Sequence, residues 1–292
     1  MIPEERAGRM ASEREPAGKG GRMGTRIKPL TYGSYIRTDD LLSLQTRLSD
    51  AHDELQFIIV HQVFELWFKL LLFELESVRE ALERGALRGA VRLLQRVTEI
   101  CRVMTGGFDV LETMRPWDFL EFRSRLQPAS GFQSRQFREV EFLSGLKDPR
   151  YLRSFEGVPE DLKVLRRRLE EPSVWDAFVA LLRRRGLATS SDTELLHTLI
   201  RIHREPALAD LDELCEALLN YDEAFSLWRH RHVLMVERMI GARPGTGQED
   251  VRRTVGSSER DYFTGVDYLR ATLSKKFFPL LWEARTFVER EE

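Results

Sequence analysis

The run from Glu54 to Leu75 carries more apolar residues than one side of a surface helix can use, with no glycine, no proline and no strand-like alternation. That pattern predicts a helix buried on nearly every side. A membrane span is the rival reading, because a span needs about 20 predominantly apolar residues. His61, Gln62, Glu65 and Lys69 interrupt the run, so the central helix of a soluble bundle is expected instead. On that helix His61 shares a side with Phe57, Ile58, Phe64 and Phe68, at offsets of three, four and seven residues. The expected result is an imidazole in an aromatic wall.

The rest of the chain reads as helices joined by short breaks, and no strand signal or internal repeat stands out. Order is expected from about Leu30, where Tyr32, Tyr35 and Ile36 precede the acidic first turn of a short helix at Asp39 and Asp40. The two tyrosines are either an arm packed on its own domain or a lid over a site. A second long helix is expected from Leu87 to about Met114, with Val91, Leu94, Val97, Ile100, Met104, Phe108 and Leu111 on its apolar side. A short helix follows, with Pro116 in its first turn. Beyond it, Leu126 to Ser134 forms a Pro/Ser/Gly loop that enters a helix at Gln136 and Phe137, a geometry suited to presenting backbone N–H groups. Between Asp148 and Arg185 the prolines at 149, 159 and 172 divide short helices.

From about Leu208 to Ile240 a long helix carries Phe225, Trp228, His232, Met235, Val236 and Met239 on one stripe. His230 lies about 200° away from His232 around the axis, so His232 points inward and His230 does not. His197 and His203 sit about 240° apart and make a poor metal pair. The segment from Gly241 to Gly247 ends the long helix, a polar stretch follows, and the chain finishes in an apolar segment through Phe277, Phe278, Leu281 and Trp282.

Bulk properties narrow the function. The 45 basic and 47 acidic side chains leave a formal net charge of -2, so no global field recruits nucleic acid or an anionic membrane. The runs Arg166 to Arg168 and Arg183 to Arg185 are interleaved with acids and read as solvated helix faces. Hydrophobic residues make up 42% of the chain, enough for a real core. Cys101 and Cys215 form neither a metal nor a disulfide pattern, consistent with a reducing, cytoplasmic setting. Residues 1–27 are rich in Arg, Glu and Gly and lack the apolar stretch of a signal peptide, so a disordered leader is expected before one all-helical domain over 28–292.

Two inward histidines on two long helices suit a flat apolar cofactor held between them, with haem as the natural example. Taken alone, each is better read as a satisfied core histidine. Arg123, among Phe119, Phe122 and Leu126, is either paired with a structural carboxylate or set to receive a ligand anion.

Seven segments in order give the chain a resemblance to the tryptophan 2,3-dioxygenase family, from about Leu30 to Trp282. They are Tyr32-Gly33-Ser34-Tyr35-Ile36-Arg37, His52 to Gln62, Glu65-Leu66-Trp67, Phe119-Leu120-Glu121-Phe122-Arg123, Pro128 to Ser134, Leu227-Trp228-Arg229-His230-Arg231-His232 and Gly245-Thr246-Gly247. The resemblance implies an all-α bundle enclosing haem b, with His232 on the iron and His61 hydrogen-bonding the substrate's indole N–H. It implies Arg123 as the clamp on the substrate carboxylate, Thr246 as a partner of that carboxylate or of the ammonium, and Phe57, Phe119 and Phe122 as the pocket wall. Phe108, Ser130, Gly131 and Trp228 are expected near the haem. Tyr32, Tyr35 and Ile36 are expected to reach a neighbour's site in a cytoplasmic homotetramer, a dimer of dimers. The implied reaction inserts both atoms of O2 across the indole C2–C3 bond of tryptophan, giving N-formylkynurenine. An insertion from Gln248 to about Thr264 departs from the family pattern. It leaves open a relative that monooxygenates a β-methylated tryptophan, and a non-catalytic haem carrier or sensor is the alternative of another class.

Overall fold

The computed structural model describes residues 29–241, 243, 246 and 265–288; the expected leader and the 248–264 insertion lie outside them. Every regular element among the described residues is helical, as the periodicity predicts. The chain divides into two units, residues 1–44 and 45–292.

The first unit holds two short helices, α1 (Tyr32–Ile36) and α2 (Thr38–Leu42). Thr31 caps α1, its hydroxyl accepting from the Ser34 N–H while Ser34 answers the Thr31 N–H. Arg37 turns the chain between them at φ 54 and pairs with Asp40 at 2.7 Å. Tyr32, Tyr35 and Ile36 are therefore helical rather than part of an extended arm, and all three are exposed.

In the second unit, α3 (Glu54–Glu83) and α4 (Leu87–Leu111) pack along each other after a tight turn in which Gly85 takes φ 70. Arg96 of α4 clamps the buried Glu74 of α3 at 2.8 Å. The second long helix ends at Leu111, three residues short of Met114. Next come α5 (Pro116–Arg123), α6 (Arg135–Ser144), α7 (Pro159–Glu170), α8 (Val174–Arg184) and α9 (Asp192–Arg204). The longest helix, α10 (Ala209–Ile240), lies against α4, while α6 and α8 pack on α3. The short α11 (Gly265–Ala271) rests on α10, and α12 (Pro279–Ala284) rests on α9. Buried Asp222 of α10 pins this last segment, accepting from the N–H groups of Phe277 and Phe278 and from Trp282 Nε1 at 3.0, 3.1 and 2.9 Å.

Two sequence expectations fail. α3 is not buried all round: Leu55, Ile59, Val63, Leu66, Leu70 and Phe73, spaced by four, four, three, four and three, form an exposed apolar stripe, with Phe73 65% exposed. Apolar residues on every side showed that the helix has two apolar faces, and only packing shows which one this chain covers. Among the described residues α3 is also the one helix long and apolar enough to cross a membrane, with 22% of its most apolar window buried. The basic run in α7 is not wholly solvated either. Arg168 is buried, held by Glu139 at 3.0 Å, by Glu171 at 3.1 Å and by Glu76.

The start of α3 is set by Glu54, whose buried carboxylate accepts from the N–H groups of Leu48 and Ser49 at 2.7 and 2.8 Å and from the Ser49 hydroxyl. Burial opposes its ionisation, yet these donors outweigh burial and hold its pKa below the usual 4.5. A depressed carboxylate contributes stability above its unfolded pKa and loses it as pH falls through the folded value. Glu54→Gln is expected to cost about 2 kcal/mol at pH 7. Urea unfolding at pH 7 and pH 3 checks this, with the difference between variant and parent shrinking at the lower pH.

Candidate functional site

A cleft opens between α3, α4, α5 and α10, with α6 and α11 at its far side. Its cavity volume is about 300 Å³, and the lining is mostly apolar. Pockets for drug-sized ligands run from about 300 to 1,000 Å³. This one lies at the lower end of that range.

Its wall is a chain of rings. Phe64 of α3, Phe108 of α4 and Trp228 of α10 meet with centroids 5.1 Å (Phe64 to Phe108), 5.5 Å (Phe108 to Trp228) and 6.2 Å (Phe64 to Trp228) apart. The approach needs Gly107, since a Cβ there would come within 3.1 Å of the Phe64 ring. His232 stacks beside Phe108 at 5.7 Å and Trp228 at 5.3 Å. Desolvation, aided by the nearby His61, lowers its pKa to about 4, so its imidazole is neutral near pH 7. Trp228 Nε1 is buried with no hydrogen-bond partner among the described residues. His230 lies outside on the exposed side of α10, its Nδ1–H donating to Ser226 O, as the wheel geometry predicted.

His61 presents an exposed ring to the open cleft. The protein packed around its base lowers its pKa by desolvation, against the opposing effects of the Phe57 carbonyl and the Glu65 charge. Its Nδ1–H donates to Phe57 O at 2.7 Å. The tautomer this hydrogen bond selects leaves Nε2 with a free lone pair. Beside it Phe57 lies 5.6 Å from Phe119 and 5.5 Å from Phe122, an aromatic box on the rim of which sits half-buried Arg123. Burial and the like charge of Arg243 both lower the pKa of Arg123, which nonetheless stays a cation.

The cleft brings together His61, His232, Phe57, Phe108, Phe119, Arg123, Ser130, Gly131, Trp228 and Thr246. Phe122 is fully buried behind Phe57 and Phe119 and supports the wall from there. Tyr32, Tyr35 and Ile36 belong to the first unit. The loop after α5 does not offer its amides as expected. The N–H of Phe132 is taken by Ser130 Oγ, that of Gln133 by Ser130 O and that of Ser134 by Gly131 O. Sequence reasoning also missed Glu65, one turn after His61. It accepts from Ser134 Oγ at 2.6 Å and from Gln136 Nε2 at 2.8 Å, tying the loop and the start of α6 to α3. A glutamate interrupting an apolar run was its one visible signal.

These elements define an all-helical protein with an aromatic cleft lined by two imidazoles and a guanidinium. The sequence model of the family described as tryptophan 2,3-dioxygenase matches residues 19–196 and 195–288. A protein of Nocardioides sp. (strain ATCC BAA-499 / JS614) named tryptophan 2,3-dioxygenase is 51% identical over 265 residues, spanning 88% of this chain and 94% of that protein. Proteins of the same name from Caulobacter vibrioides and Herpetosiphon aurantiacus are 41% and 42% identical over 271 residues, each spanning 88% of this chain and 98% and 97% of the relative. The chain belongs to the tryptophan 2,3-dioxygenase family.

Glu65→Ala is expected to release Ser134 and Gln136 and lower stability by about 1–3 kcal/mol. Thermal unfolding of the purified variant measures the cost, and an unchanged midpoint would remove the tether.

Proposed function

We propose that this protein is a haem-dependent dioxygenase of L-tryptophan. The observation that carries the reading is the neutral His232 imidazole, flanked by two rings and facing the same cleft as His61 and Arg123. Haem b fits this donor set: a neutral imidazole is an iron ligand, and the Phe108 and Trp228 rings, Ser130 and Gly131 border the space a macrocycle would fill. When bound, haem supplies the ferrous iron that activates dioxygen for insertion of both oxygen atoms across the indole C2–C3 bond, with no net use of reductant.

The chain's own residues do the positioning. Arg123 offers a planar fork of donors to the amino-acid carboxylate, a charge-assisted contact that fixes the pose. Thr246 takes a further hydrogen bond from the ammonium or gives one to the carboxylate. Phe57 and Phe119 form the wall against which the indole lies, with Phe122 packed behind them. His61 Nε2 accepts the indole N–H, because its Nδ1–H is already committed to Phe57 O and its lowered pKa keeps the ring neutral. Each relative named above is a tryptophan 2,3-dioxygenase, so neither monooxygenation of a β-methylated tryptophan nor a non-catalytic haem carrier is favoured.

The active form in this reading is a cytoplasmic homotetramer, with residues 28–292 acting as one functional domain. The exposed stripe of α3 lies about 120–200° around the helix from His61, so a second copy can cover it on the side away from the cleft. Tyr32, Tyr35 and Ile36, exposed on the first unit, are assigned to the site of a neighbouring copy.

Turnover under ¹⁸O₂ tests the reaction: two labelled atoms in the product support it, and one atom transfers the protein to the monooxygenase class. His232→Ala is expected to abolish the Soret band of the reconstituted protein. His61→Ala should keep that band and lose turnover on the order of 100-fold. Arg123→Ala should raise KM for tryptophan by about tenfold or more. For the assembly, Ile59→Glu with Leu66→Glu is expected to yield a smaller species by light scattering, and an unchanged mass would place the interface elsewhere.

A further inference from the structure

Glu65 stands on the cleft lining one turn beyond His61, and the proposed chemistry leaves it unused. Residues four apart on a helix share a face, so the two side chains enter the cleft from the same side of α3. Each carboxylate oxygen of Glu65 has its own donor from another element. Oε1 accepts from Ser134 Oγ at 2.6 Å and Oε2 from Gln136 Nε2 at 2.8 Å, while the same Gln136 amide also donates to Glu65 O at 2.9 Å. The Ser134 hydroxyl works in both directions: it donates to Glu65, and its oxygen accepts from the Phe137 N–H at 3.2 Å to cap α6.

Behind this latch, residues 130–134 form a closed lip. Ser130 Oγ accepts from the Phe132 N–H at 3.2 Å, Gln133 Oε1 from the Ser130 N–H at 3.3 Å, and Ser130 O from the Gln133 N–H at 3.0 Å. A loop whose hydrogen bonds close on themselves moves as a unit, and its place is set by what holds it from outside. Glu65 holds the lip at Ser134, and Tyr268 of α11 lies 4.9 Å from the Phe132 ring. Hydrogen bonds to an ionised carboxylate are short and directional, so the latch fixes the lip more tightly than the ring contact does. Ser130, Gly131, Phe132 and Ser134 line the same cleft as His61. The gap between that imidazole and the lip is therefore set through Glu65, tied to the first by one helical turn and to the second by its hydrogen bonds.

We infer that Glu65 is a positioning residue of the cleft: its carboxylate holds the 130–134 lip at the distance from His61 that the amino-acid substrate requires. What lies beside His61 rests on the reading above, whereas the latch itself is independent of it. Glu65 acts through Ser134 and Gln136 and exchanges no proton with the substrate.

Glu65→Ala, Glu65→Gln, Ser134→Ala and the double variant of Glu65→Ala with Ser134→Ala, each in the full-length protein, test this. Glu65→Gln keeps an acceptor for Ser134, and turning the Gln136 amide over supplies an acceptor for the new NH2 group. Hydrogen exchange reads the latch without any cofactor. In Glu65→Ala the Phe137 amide should exchange about tenfold faster or more, while the Ala86 amide, bonded to Ala81 O in the α3–α4 turn, stays within about twofold. Equal acceleration of both amides, or none at Phe137, overturns the latch. Turnover of the haem-loaded protein reads the positioning. Glu65→Ala should raise KM for tryptophan about tenfold with a smaller change in kcat, and Glu65→Gln should restore KM to within about threefold of the parent. Ser134→Ala, which removes one bond of the latch, should give a smaller rise of the same kind and carries the test if Glu65→Ala does not fold. The double variant should be no worse than Glu65→Ala. A lowered melting temperature with an unchanged KM makes Glu65 purely structural and overturns the inference. Additive effects in the double variant overturn it by separating the two residues, and a Glu65→Gln as impaired as Glu65→Ala overturns it by assigning the effect to charge beside His61. If haemin gives no Soret band and the protein no turnover, the haem reading fails and takes the substrate gap with it, an outcome set apart because the exchange result still reports the latch.

Discussion

The meeting of Phe64, Phe108 and Trp228 holds three helices at one spacing, and the cleft depends on it. Each ring comes from a different long helix, and together they fill the gap that Gly107 leaves open. Aromatic contacts of this sort add about 0.5–1.5 kcal/mol each beyond the area they bury. Their larger effect is geometric. They hold α3 and α10 at a spacing that leaves His61 and His232 lining one cleft.

Among the described residues, the buried charged groups either lock the frame or face the cleft. Glu74, Glu54 and Asp222 are buried carboxylates met by donors from other segments, and they fix α4, the approach to α3 and the C-terminal segment. Glu65 does the same for the 130–134 loop while bordering the cleft itself. By contrast Arg123, Arg138 and Arg229 bring positive charge to the lining with a single buried carboxylate, Glu141, between the last two.

α3 also has to serve two surfaces. One side carries Phe57, His61, Phe64 and Phe68 into the cleft and core, and the other carries the aliphatic stripe from Leu55 to Phe73. A sequence serving both is apolar nearly throughout, which explains why this stretch resembles a membrane span in composition. Gln62, Glu65 and Lys69 sit between the two apolar faces, where a lipid-immersed helix would have no use for them.

The sequence alone determined the elements. Period-3.6 apolar spacing set α4 and α10 to within three residues, because a helix buries what recurs on one face whatever it packs against, while α3 runs on to Glu83, eight residues past the apolar run. It also separated His232 from His230, since an angle around an axis follows from residue numbers. It did not reveal that the amides of the 130–134 loop are spent internally, that Glu65 holds that loop, or that α3 leaves one apolar face open. Nor did it pair Arg138 and Arg229 across 91 positions around Glu141. Those outcomes depend on which surfaces of separate helices meet, and periodicity within a helix carries no information about its neighbours. Desolvation likewise exists only once the walls have closed, so the lowered pKa of the two imidazoles is a property of the assembled cleft and not of either helix.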